Sequence, residues 1–253
     1  MEAPATWQSA VIRGSSRPGY TPILPSRDGQ WVDEWFSAAR LTTYLTAAAG
    51  SRRRALALYE WNIQAACAIQ QDLCHLEIGL RNAYDAAIRA HWTGQIDWTS
   101  QPTAVFPPTL STRGHKGSTN PKAVVDVNAR QRALLTKARQ DAGGPAAPPG
   151  KVIAELSLGF WRYLSVKSHE KALWVPYLHH AFPAGTDRAR DLDSRVHRLH
   201  TLRNRVAHHE PLLGVNLPAR LADITDLATL INPDLGGYIT ATTLIPQAIA
   251  LRP

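Results

Sequence analysis

Two stretches of the chain carry a sustained apolar repeat. Leu58, Trp61, Ala65, Ile69, Leu73, Leu76, Leu80, Ala83 and Ala87 recur at steps of three and four, the return period of one face of an α-helix. The stripe runs for about eight turns, which predicts a long helix of a bundle. Leu192, Val196, Leu199, Leu202 and Val206 repeat the pattern inside "DRARDLDSRVHRLHTLRNRVAHH" and predict a second. Shorter helical patterns occupy "KAVVDVNARQRALLTKARQ", "KVIAELSLGFWRYLSV" (despite its glycine) and "PARLADITDLATLIN". "DEWFSAARLTTYLTAAAG" opens on Asp33, a helix N-cap type, and closes on Gly50, a C-cap type, so it reads as one helix. "HEKALWVPYLHHAF" holds Pro176 in its middle, which predicts a kink or two short pieces. Strand signals are nearly absent and there is no internal repeat. The expectation is an all-α fold built as one bundle-like domain.

Breaks in the pattern divide the chain. Residues 1–30 are rich in Pro, Gly and Ser and read as an extended or mobile N-terminal arm; residues 31–253 read as a single helical domain. Long loops are expected near 94–121, carrying Arg113, His115 and Lys116, and near 141–150. Loops of the first length are functional or irregular in most domains.

Composition narrows the classes. With 44% hydrophobic residues among 253, the chain can bury a substantial core. Lys and Arg number 28 against 20 Asp and Glu, a net charge of +8, which favours a polyanionic partner such as RNA or DNA. Cys67 and Cys74 are seven apart in one expected helix. They are separated by roughly 10 Å along its axis, too far for a disulfide. That usage fits a reducing cytoplasm. No segment has the pattern of a signal peptide, and no apolar run reaches the roughly 20 residues that span a bilayer. A soluble cytoplasmic protein with no membrane contact is expected.

The segment "LRNRVAHHEP", residues 202–211, carries the densest chemistry. Pro211 disfavours helical backbone at Glu210, so the helix should end near His208 or His209. At about 100° per residue, Asn204 and His208 share one face, opposite the apolar line, and Arg203 lies at the edge of that line. One reading is structural: cations in a last helical turn gain about 0.3–1 kcal/mol each from the helix dipole. The other is catalytic. A guanidinium holds phosphate oxygens bidentately, an imidazole moves protons near neutral pH, and an asparagine orients either. Such a set, without a carboxylate cage, suits metal-free cleavage of RNA by the neighbouring 2′-OH.

"RNRVAH" is similar to the R-N-x-x-x-H signature of HEPN-domain ribonucleases. The wider chain resembles the Abi-like (abortive infection) proteins of bacteria through "RLTTYLTAAAG", "ALALYEWN", "HLEIGLRNAYDAAI", "VIAELSLGFWRYL" and "TLRNRVAHHEP", which fall in the family's order and span most of residues 40–240. The resemblance implies a HEPN-type helical bundle and a metal-independent endoribonuclease that needs no cofactor. It also implies a part in phage defence or toxin action. It carries catalytic roles onto Arg203, Asn204 and His208, makes Glu77, Arg81 and Asn82 auxiliary groups of the cleft, and leaves Arg205 and His209 as basic neighbours for RNA. It further implies a homodimer in which both copies of Arg203, Asn204 and His208 face one groove. An antitoxin or a regulatory RNA is a further possible partner. The alternative is a non-catalytic helical module that binds RNA or a protein through its basic face.

Other constellations weigh less. Glu77 stands four residues before Arg81, the order of a plain intrahelical ion pair. "RNAYDA" begins like a second signature, but Ala87 stands where its histidine would be. The pairs His208–His209 and His179–His180 lack the H-E-x-x-H or cysteine partners of a metal site. "ELSLGFW" and most of the eight tryptophans read as core.

Overall fold

The computed structural model describes residues 30–113 and 123–253. Residues 1–29 of the expected N-terminal arm, His115, Lys116 and the Arg113 side chain lie outside the described residues, and Gln30, the arm's last residue, opens a helix. The described residues group into two compact units, divided between Leu56 and Ala57, and are mostly helical.

In the first unit, α1 (Gln30–Phe36) and α2 (Ala38–Ala47) replace the single helix expected from Asp33 to Gly50. Ser37 interrupts it with φ 62°, a left-handed backbone through which the helical ladder cannot continue. The break lets both pieces bury their apolar sides, and Phe36 meets Tyr44 edge to face at 6.3 Å. Asp33 lies within α1 instead of capping it, and accepts a 2.8 Å hydrogen bond from Arg52. Gly50, at φ 81°, closes α2 as expected, its N–H reaching Leu45 O at 2.8 Å.

The long helix α3 (Arg52–His91) has 40 residues and runs from the first unit into the second. Its stripe is buried at Leu58, Trp61, Ala65, Ile69, Leu73, Leu76, Leu80 and Ala87, with Tyr84 in place of Ala83. The remaining helices of the second unit are α4 (Pro102–Val105), α5 (Ala129–Asp141), α6 (Pro149–Ala154), α7 (Leu158–Leu164), α8 (Ser194–Ala207), α9 (Leu217–Ile231), α10 (Pro233–Thr242) and α11 (Ile245–Ala250). Between α7 and α8 the chain makes two short pieces around Pro176, Glu170–Trp174 and Leu178–Ala181, and then a wide helical turn at Arg188–Asp193. The core gathers Ile69, Leu73 and Leu80 of α3, Trp98, Phe106, Leu135, Phe160, Trp161, Leu199, Leu202, Ile224 and Leu227.

Three expectations change here. The 94–121 segment holds a 3₁₀ turn at Trp98–Ser100, α4 and a strand β1 (Leu110–Arg113). "KAVVD" is not the start of a helix: Ala123–Asp126 is strand β2, antiparallel to β1 with Ser111 opposite Val125. Adjacent valines favour a pleated surface, and the Asp126 carboxylate turns the chain by accepting from the backbone N–H groups of Thr109 and Asn128, both at 3.0 Å. "KVIAELSLGFWRYLSV" divides into α6 and α7 around Glu155–Ser157. No helix among the described residues is long and apolar enough to cross a membrane. Cys67 and Cys74 are free thiols.

Candidate functional site

α8 buries Val196, Leu199, Leu202 and Val206 and turns His197, Thr201, Asn204 and His208 away from them. The helix ends where the sequence placed its end. His208 is the C-cap, with its N–H on Asn204 O at 2.9 Å. His209 takes left-handed backbone, φ 54°, and Glu210 N–H reaches back to Arg205 O at 2.8 Å. The turn is therefore closed by His209 in the conformation usually given to glycine, and Pro211 follows two residues later. Asn62 of α3, 4% exposed, holds the next stretch by accepting from Leu212 N–H at 2.6 Å.

The two flanks of α8 differ in how their cations are matched. On one flank a groove of about 370 Å³ is lined by residues including Arg198, Arg205 and Arg220. Arg198 Nε donates to Asp223 at 2.9 Å, Arg220 lies 3.0 Å from the same buried carboxylate, and Arg205 lies 3.4 Å from Glu210. Those cations are neutralised in place. On the other flank stand Arg203, His200, Arg162 of α7 and Arg130 at the start of α5. Among the described residues no carboxylate comes within ion-pair distance of Arg130, Arg162 or Arg203.

His200 lies among them. Its imidazole is held below its ordinary range, first by partial burial and then by the charges of Arg162, Arg203, His197 and Arg130. It therefore favours the neutral form. His200 Nε2 lies 3.4 Å from Asn204 Nδ2, so with the amide donating, that ring nitrogen accepts. Arg162 Nη2 donates to His197 Nδ1 at 3.0 Å; a guanidinium has only donors, so Nδ1 is the acceptor. The Arg162 guanidinium also covers the Tyr163 ring at 4.8 Å, and Arg130 lies 6.0 Å from the same ring. A Cβ on Gly159 would sit 3.1 Å from His200 Nε2, so the missing side chain makes room for the imidazole.

A buried bridge fixes this flank. His169, 4% exposed, places Nδ1 at 2.7 Å from Tyr163 O and Nε2 at 2.8 Å from Asn128 Oδ1. Asn128 Nδ2 donates to Pro107 O at 2.9 Å, which sets the amide's orientation. The bridge ties the end of α7 to the start of α5, and with them Arg162 to Arg130.

Of the residues singled out in the sequence, Arg203 and Asn204 are half-buried and His208 and His209 exposed on the same helix end. Glu77 and Arg81 are half-buried on α3 and Asn82 is exposed there. The expected Glu77–Arg81 ion pair is not formed, and among the described residues Arg81 Nε is buried without a partner. Among the described residues no hydrogen bond joins Glu77, Arg81 or Asn82 to Arg203, Asn204 or His208. His197, His200, Arg130 and Arg162 were not foreseen. His200 had a visible signal, four residues before Asn204 and eight before His208 on one helical line; Arg162 sits inside the apolar run "GFWRYL". Arg130 had none.

The rings of His91 and His180 stack with centroids 3.7 Å apart, and His179 lies tilted against His180 at 3.8 Å. Among the described residues no group of three or more His, Cys, Asp or Glu side chains could hold a metal ion. No family model, curated protein or solved structure matches this chain.

Proposed function

We propose that the chain is a metal-independent endoribonuclease of the HEPN type, of the Abi-like kind, acting in phage defence or as a toxin. The observation that carries the reading is the contrast across α8: arginines on one flank are matched by carboxylates, whereas Arg203, Arg162 and Arg130 surround His200 with none among the described residues. Like charges held together in this way favour a bound polyanion.

Arg203 holds the scissile phosphate and His208 handles the proton, with Asn204 orienting one or the other. The substrate's 2′-oxygen forms a bond to phosphorus and gives up its proton, while the bond to the 5′-oxygen breaks and that oxygen takes a proton. The products carry a 2′,3′-cyclic phosphate and a 5′-OH. His200 and His208 are separated by about 12 Å along one helix, too far to serve one phosphate together. A homodimer that apposes two His208 side chains supplies both proton-transfer groups.

The test is cleavage of RNA in EDTA with analysis of the ends. His208→Ala is expected to lose cleavage by about 10²–10⁴-fold, the usual contribution of a placed proton-transfer group, and Arg203→Ala by about 10²–10³-fold, the usual contribution of a placed charge-stabilising donor, with folding retained in both. Products with 5′-phosphates, a strict Mg²⁺ requirement, or parent rates in both variants would overturn the assignment. Binding of RNA without cleavage would leave a non-catalytic RNA-binding module.

A further inference from the structure

We propose that Arg130, Arg162 and His197 form a second phosphate subsite, which holds a neighbouring backbone phosphate of the same single-stranded RNA bound at Arg203 and His208. The inference rests on the reading of Arg203, Asn204 and His208 as an RNA site, and extends it along α8.

The subsite is built, not incidental. Two guanidiniums from different helices lie over one aromatic ring, Arg162 at 4.8 Å and Arg130 at 6.0 Å from the Tyr163 centroid. Among the described residues no carboxylate pairs with either cation, and the His169 bridge between Tyr163 O and Asn128 Oδ1 ties their two helices together. Arg162 Nε is buried and has no hydrogen-bond partner among the described residues. His197 Nδ1 takes one Arg162 hydrogen bond at 3.0 Å and leaves its other ring nitrogen to a ligand. Gly159 adds an independent sign. A glycine within a helix costs about 1 kcal/mol relative to alanine, and here the space it opens is filled by His200, with Nε2 3.1 Å from a would-be Cβ.

The order along the helix sets the ligand's path. His197, His200, Asn204 and His208 follow one another at steps of three and four on the outward face. An extended polyanion lying on that face meets Arg162 and His197 at one end and His208 at the other. His200 sits between the two sites, within the influence of both Arg162 and Arg203. The groups that line the path are donors to phosphate or planes that accept a base: guanidinium faces and exposed imidazoles are the surfaces on which unstacked bases rest. A duplex presents phosphates at the rims of its grooves, whereas a single strand can follow one helix face.

The test uses the full-length chain carrying His208→Ala, so that bound RNA is not consumed. Fluorescence anisotropy measures its affinity for a labelled dinucleotide and for a longer single-stranded oligonucleotide, across a range of salt. Adding Arg162→Ala, or separately Arg130→Ala on the exposed start of α5, is expected to weaken binding of the longer oligonucleotide about tenfold. Each is also expected to reduce the slope of log affinity against log salt by about one, as for loss of one phosphate contact, and to shrink the advantage of the longer ligand over the dinucleotide. Unchanged affinity and slope in both variants, with both folded by circular dichroism, would overturn the subsite. An acidic peptide that binds as tightly, with the same dependence on Arg162, would overturn the nucleic-acid assignment. Cleavage does not enter this measurement. A chain that binds RNA in this way but never cuts it sinks the catalytic reading and keeps the subsite; a chain that cuts RNA with an unaltered salt slope after Arg162→Ala does the reverse.

Discussion

His209 occupies left-handed backbone at φ 54°, where an L-residue costs roughly 1–2 kcal/mol. Its N–H on Val206 O at 3.1 Å and the Glu210 N–H on Arg205 O complete the usual glycine-type helix stop. The apolar contact that often spans such a stop is replaced by the Arg205–Glu210 ion pair at 3.4 Å. His209→Gly should therefore raise stability by about 0.5–1 kcal/mol, the relief of strain less the extra freedom glycine gives the unfolded chain. Urea unfolding midpoints check it, and a decrease would mean that the imidazole makes contacts worth more than the strain. Strained backbone is commonly retained at functional positions, and a histidine kept where glycine is easier agrees with a role for His209 in binding RNA.

At the scale of elements, close packing of α9 against α10 depends on one missing side chain. A Cβ on Gly236 would lie 2.1 Å from Thr229 Oγ1 and 2.9 Å from Thr229 Cα. The hydroxyl could rotate away, but the Cα could not. Gly236→Ala is expected to cost about 1–3 kcal/mol, as overpacking generally does. Gly237 is the matched control: nothing lies within 4 Å of its would-be Cβ, so Gly237→Ala should gain about 0.5–1 kcal/mol from helix propensity. Thermal unfolding of the pair separates packing from propensity, and equal effects of the two substitutions would refute the packing argument. This glycine pair is also why α10 escaped the sequence reading. Its start was legible all the same: Asn232 accepts from Asp234 N–H at 2.7 Å and Leu235 N–H at 3.2 Å, with Pro233 in the first turn, the usual signature of a helix N-terminus.

At the scale of the whole molecule, the proposed chemistry asks for two proton-transfer groups at one phosphate, and one chain offers His208 with its nearest aligned imidazole about 12 Å away. The expected outcome in sedimentation is a particle of twice the 27.8 kDa chain mass at assay concentration, with activity falling on dilution as it dissociates. A fully active monomer would remove the shared site and move the second proton-transfer role to His209 or Glu77. The net charge of +8 works against self-association at low ionic strength, so the dimer should tighten with moderate salt even as RNA binding weakens.

Helical class, the long helix and the outward face of α8 were legible in the sequence because they depend on local periodicity. A buried stripe must return every 3.6 residues, so Leu58 to Ala87 and Leu192 to Val206 announce themselves, and the angle between Leu202 and Asn204 follows from the same geometry. The end of α8 was legible from Pro211, although His209 performs the closure. Pairings distant along the chain were not legible. The pairing of strand β1 with β2 follows from no local period, and Leu110 and Val124 are both exposed, so no apolar alternation marks either strand. The cluster around His200 is the clearest case. Arg130, Arg162 and Arg203 sit on three separate helices, and no spacing in the sequence relates them. Their convergence comes from tertiary structure alone, through the His169 bridge and the space left by Gly159. Equally, the sequence shows an excess of arginine without saying which are neutralised; that was decided when Asp223 folded against Arg198 and Arg220 and left the opposite flank of α8 without a counter-charge.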